Sequence, residues 1–94
     1  MYIDDFIWLD EIVDKLAVKH GVTSEEVEEV FFSRPHFRFV ETGQRKGEDV
    51  YLASGQTDAG RYLVVFFIQK SANRALILSA RDMDGSERKR YERK

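Results

Sequence analysis

Cysteine is missing from the 94 residues. Without a thiol there is no disulfide scaffold, no thiolate metal site and no cysteine nucleophile. The same absence suits a reducing compartment, so a cytoplasmic location is the expectation. Proline occurs once, at Pro35, and no Pro-, Gly- or Ser-rich stretch marks a linker, so one domain over residues 1–94 is expected. No apolar run approaches the roughly 18 residues of a membrane span, and the acidic opening MYIDDFIW is unlike a signal peptide. No membrane partner is expected. Histidine appears twice, as His20 and His36. That separation gives no metal-ligand spacing, so neither a metal nor a cofactor is expected. Glycine-rich phosphate loops, zinc signatures and helix-turn-helix patterns are also lacking.

What is present describes a folded chain. Hydrophobic content of 43% against 34% charge is too apolar for a disordered segment. The net charge of −2 conceals a division. Residues 1–30 hold nine acids against Lys15 and Lys19, a formal −7, and residues 31–94 hold thirteen bases against eight acids, a formal +5. The basic portion suits a polyanion; ordinary surface scatter is the competing reading.

In chain order, Leu9, Ile12, Val13, Leu16 and Ala17 form a stripe of helical period over residues 9–20. Gly21 stands where a left-handed cap would stop that helix. Phe6, Ile7 and Trp8 precede it and are expected to plug the core. Thr23 and Glu26 have capping-box spacing for a second helix, whose apolar face is Val27, Val30 and Phe31. Pro35 ends it near Arg34.

From residue 37 the period becomes two. Strands are predicted over 37–41, 50–56, 61–70 and 74–81, with short connections that imply an antiparallel meander. The LVVFFI centre of the third strand is apolar throughout and reads as buried on both faces. Leu76, Ile77 and Leu78 are expected to join it in the core. A last helix is predicted from an N-cap at Ser86. The fold class is therefore α+β: two N-terminal helices, a four-stranded antiparallel sheet and a short C-terminal helix.

Several residues can carry chemistry. His20, beside Lys19 at the end of the first helix, is a candidate acid or base next to a phosphate-binding lysine; a histidine that merely meets the helix dipole is the alternative. His36 is less informative, lying in a turn after proline. Arg61 and Arg81 fall at strand ends that the meander brings to one edge, and paired guanidinia there can hold charge developing on a phosphate. Strand-end arginines also snorkel without any such role. Arg88, Lys89, Arg90, Arg93 and Lys94 form a basic cluster around Tyr91, able to bind phosphates and stack a base, or simply a solvated face.

Three blocks together resemble the BrnT family, ribonuclease toxins of bacterial type II toxin–antitoxin systems. They are Trp8 ahead of the first helix, KHGVTSEEVEEVF at 19–31, and LILSARDMDGSERKRYE at 76–92. The resemblance implies a RelE-like fold, cleavage of RNA and neutralisation by a BrnA-type antitoxin, with which the chain would form a hetero-oligomer. It also puts Lys19, His20 and Arg81 at family motif positions. The function expected is metal-independent endoribonuclease, with His20, Arg81 and Arg61 catalytic and Lys19, Arg88, Lys89, Arg90 and Tyr91 on the RNA. A non-catalytic interaction module and a small RNA-binding protein that does not cleave stay open beside it.

Overall fold

The elements in chain order are β1 (Asp5–Ile7), α1 (Asp10–Lys15, continued by a wider π turn over Leu16–His20), α2 (Ser24–Phe32), β2 (His36–Glu41), β3 (Val50–Gln56), β4 (Tyr62–Lys70), β5 (Arg74–Asp82) and α3 (Gly85–Glu92). The computed structural model describes residues 1–93.

The α+β class and the three helices are as the sequence predicts; the sheet is not. It has five strands in the order β1-β5-β4-β3-β2. The four predicted strands do form the antiparallel meander. The fifth, β1, runs parallel to β5, with Asp5 opposite Arg74 and Ile7 opposite Leu76. A parallel pair needs a long crossover, here the whole of residues 8–73. Three residues are too few to show a period of two, so Phe6 and Ile7 read only as a core plug.

The helices behave largely as their caps dictate. Thr23 accepts from the Glu26 amide, and Glu26 accepts from the Thr23 amide, closing the capping box. Gly21 stops the first helix at φ 61°, the left-handed cap that glycine adopts without a Cβ penalty. The predicted stripe is narrower than expected. Leu16 is buried, Ile12 and Val13 are half-buried, and Leu9 and Ala17 face solvent. Leu9 is the N-cap rather than the first helical residue. At the far end, Asp84 caps α3, not Ser86: its carboxylate accepts from the Glu87 amide, and Glu87 returns the bond to the Asp84 amide. Asp84 has the same three-residue spacing to a glutamate as Thr23.

The main core lies between α1, α2 and one sheet face. Leu16, Val22, Val27, Val30 and Phe31 pack on Ala53, Leu63, Val65, Phe67, Ala75, Ile77 and Ala80. Gly55 lets α2 approach the sheet closely; a Cβ there would sit 3.0 Å from the Ser33 hydroxyl and 3.1 Å from Val30. Leu63, Val64, Val65 and Phe67 are buried, so β4 is covered on both faces as expected. On the second face, Leu52 and Val64 are buried near α3. Of the predicted trio on β5, only Ile77 is fully buried; Leu76 and Leu78 are half-buried.

Leu78 explains why. Phe66 pairs with Ser79 and Phe67 with Ile77, so Leu78 is the extra residue of a β-bulge. Strand alternation places Ala75 and Ile77 on the helix face. Without the bulge, Ser79 and Arg81 would follow them inward. The extra residue shifts the phase, buries Ala80 and turns Ser79 and Arg81 to the α3 face.

Candidate nucleic-acid interface

Arg81 therefore reaches the second face because of the bulge, and α3 receives it there. Its two terminal nitrogens donate to Glu87 at 2.7 and 2.9 Å, and one also donates to the Asp82 carbonyl at 3.1 Å. The guanidinium stands 5.8 Å from the centre of the Phe66 ring. The hydrogen bonds to Glu87 hold the Arg81 pKa above its ordinary value despite the opposing cost of burial. The same bonds hold the Glu87 carboxyl below its ordinary range. Arg81 is thus fixed in place by one bidentate carboxylate.

Beside that pair, β2, β3 and α3 enclose a cleft of about 140 Å³. His36, Arg38 and Ser54 line it from the sheet, Glu87, Arg90 and Tyr91 from α3, with Leu52 and Val64 in its wall. His36 is the first residue of β2, not part of a turn, and Ser54 is its cross-strand partner. Arg38 lies two residues further along, on the same face. The Tyr91 ring meets the His36 ring edge-on at 5.1 Å and the Tyr62 ring at 5.9 Å. Tyr62 also carries Arg88 over its face at 4.1 Å, and its hydroxyl donates to Glu92. These contacts, with Arg81–Glu87, seat α3 on the sheet although none of its described residues is fully buried.

The cations of the basic half differ in what holds them, and Lys70 pairs with Glu48 at 3.8 Å. Arg61, Arg74, Arg81 and Arg88 all donate hydrogen bonds to the protein. Arg38 and Arg90 are exposed and have no hydrogen bond or ion pair among the described residues, and both line the cleft. The sequence signal for half of this was available. His36-Phe37-Arg38-Phe39 alternates polar and aromatic residues, so it places one imidazole and one guanidinium on one strand face.

The other sequence candidates sit elsewhere. Arg61 precedes β4 at the same end of the sheet as Arg81, but on the helix side. It donates to Asp82 at 2.7 and 3.0 Å, to the carbonyls of Gly21 and His20 at 2.8 and 3.0 Å, and lies 3.3 Å from both oxygens of Glu26. Those carboxylates raise its pKa, with Asp82 foremost. Arg61 in turn keeps the Asp82 carboxyl below its usual range. Lys19 and His20 end the π turn on that same side, Lys19 exposed and His20 half-buried. No hydrogen bond joins His20 to Arg81. Lys89 and Arg93 are exposed on α3 and at its end; Lys94 lies outside the described residues.

A family model described as ribonuclease toxin, BrnT, of type II toxin–antitoxin system matches residues 8–87. The chain belongs to the BrnT family. The BrnT match begins at Trp8, whose indole donates to Glu28 at 2.9 Å and ties the chain entering α1 to α2. It ends at Glu87, the residue that holds Arg81. His20, His36, Arg38, Arg61 and Arg81 fall inside the BrnT span; Arg88, Lys89, Arg90 and Tyr91 fall beyond it. No curated protein sequence matches the chain.

Proposed function

We propose that this BrnT chain is a metal-independent endoribonuclease that takes RNA across the α3 face of its sheet. A BrnA-type antitoxin neutralises it by forming a hetero-oligomer. The chain acts as one domain in the cytoplasm. The observation that carries this reading is the convergence of Arg38 and Arg90, without protein partners among the described residues, on a cleft beside the anchored Arg81. Unpaired guanidinia converging on one cleft suit a phosphodiester.

In this reading the RNA supplies its own nucleophile, the 2′-hydroxyl, and the protein supplies position and charge. Arg81 faces the extra negative charge that develops on phosphorus, and Arg38 and Arg90 hold the backbone. Lys89 guides a flanking phosphate on this face; Lys19 stands on the helix side, off this path. Arg61, saturated by six oxygens of two carboxylates and two backbone carbonyls, is a clamp and not a phosphate ligand.

Arg81 provides the test. Arg81→Ala is expected to keep its fold, because a partly exposed ion pair contributes only about 0–1 kcal/mol. It should lower chelator-resistant RNA cleavage about 10²–10³-fold, as loss of one transition-state charge stabiliser does. Arg81→Lys should recover part, since it keeps the charge but not the fork. Parent protein that binds RNA without cleaving it would favour the small RNA-binding reading. Parent protein that does neither would favour the interaction module.

A further inference from the structure

We infer that His36 is the catalytic base of RNA cleavage, an assignment that rests on the proposed ribonuclease reading. Two imidazoles exist in the chain, and imidazole is the side chain whose ordinary titration falls between about pH 5 and 8. Their surroundings differ. His20 is half-buried on the helix side of the sheet, and its carbonyl is bound by Arg61. His36 lines the cleft that also holds Arg38 and Arg90.

The position is rigid. Pro35 precedes His36, β3 pairs with it through Ser54, and the Tyr91 ring lies edge-on at 5.1 Å. These contacts limit the ring's motion while the residue stays half-exposed. No hydrogen bond from another described residue occupies either imidazole nitrogen. The charged or titratable groups facing it are Arg38 from β2 and Glu87, Arg90 and Tyr91 from α3; β3 contributes neutral Ser54 and β4 contributes Val64. Glu87 is already engaged by Arg81 and the Asp84 amide, which leaves the imidazole as the cleft's uncommitted proton acceptor.

Neutral His36 takes the proton of the 2′-hydroxyl as that oxygen bonds to the adjacent phosphorus. The bond from phosphorus to the 5′-oxygen breaks, and the 5′-oxygen takes a proton from solvent water. The products are a 2′,3′-cyclic phosphate and a 5′-hydroxyl, and the proton on His36 returns to the hydroxide left in solvent. Arg38 and Arg90 keep the phosphate against the ring throughout.

The experiment compares parent, His36→Asn and His36→Gln on two RNAs. Cleavage of ordinary RNA is followed from pH 5 to pH 8; binding is measured with uniformly 2′-O-methylated RNA, which has no nucleophile. Both variants should lose about 10²–10⁴-fold in cleavage and bind the methylated RNA within about twofold of the parent. Any residual cleavage should lose the pH dependence that the parent shows in that range. Arg38→Ala and Arg90→Ala should instead weaken binding of the methylated RNA. Either folded histidine variant cleaving at the parent rate, or retaining the parent pH profile, overturns the assignment while leaving the ribonuclease reading intact. Equal loss of cleavage and binding also overturns it, in favour of a contact that only positions RNA. A parent protein that cleaves no RNA overturns the ribonuclease reading, and the role of His36 with it.

Discussion

Replacing Arg61 with methionine separates a clamp from a catalyst. The guanidinium binds the carbonyls of His20 and Gly21 at the end of the π turn, Glu26 in the first turn of α2, and Asp82 at the end of β5. Methionine retains much of the stem's packing and removes every polar contact. Each abandoned carbonyl costs about 1 kcal/mol. The two ion pairs are partly solvated, with Glu26 27% and Asp82 59% exposed, so each is discounted to about 0.5 kcal/mol. The sum is about 3 kcal/mol, which in a domain of this size lowers the unfolding midpoint by about 12–24 °C. Thermal unfolding followed by circular dichroism measures it. Cleavage by the fraction still folded should stay near the parent rate. A midpoint within about 4 °C of the parent, close to what 1 kcal/mol produces, together with lost cleavage, would refute the clamp and return Arg61 to the chemistry.

Two further outcomes follow from packing and charge. Ile77→Ala, at a fully buried position, should cost about 2–5 kcal/mol and Leu78→Ala, half-buried at the bulge, clearly less; denaturant titration giving the reverse order would show the bulge to be misplaced. The depressed carboxyls Asp82 and Glu87 contribute stability in full above their unfolded pKa values, near about pH 4, and lose it as pH falls through the lower folded values. The unfolding midpoint should therefore fall steeply below about pH 4, and less steeply in Arg61→Met, which has already lost one partner; parallel acid profiles for the two proteins would contradict this.

The parts of the fold that sequence made legible were those with repeated or paired signals. The meander, the Thr23–Glu26 capping box and the Gly21 stop each rest on several residues agreeing. β1 has only three residues and no repeat, and its partner β5 lies far along the chain, so local pattern could not reveal it. The bulge at Leu78 was hidden inside a uniformly apolar run, where side-chain character gives no phase. For the candidate site, the chain order pointed to Arg81 and to the α3 cluster, and the structure brings Arg81, Arg90 and Tyr91 onto one sheet face. It does not bring Arg61 or His20 to that cleft. Charge counted along a sequence cannot distinguish a guanidinium saturated by protein oxygens, as Arg61 is, from one left open among the described residues, as Arg38 is.

The parallel pairing of β1 with β5 also bears on how the chain is made. Synthesis proceeds from the N-terminus at about 5–20 residues per second, and Asp5–Ile7 meets its partner only after residues 74–76 exist. The first strand waits through most of translation. Closing so long a loop adds to the ordering cost before any contact repays it. A product abandoned before residue 74 lacks β5, and with it the neighbour of both β1 and β4 and the delivery of Arg81. A chain that stops before residue 74 therefore holds neither the strand that joins β1 to the rest of the sheet nor the arginine that α3 receives.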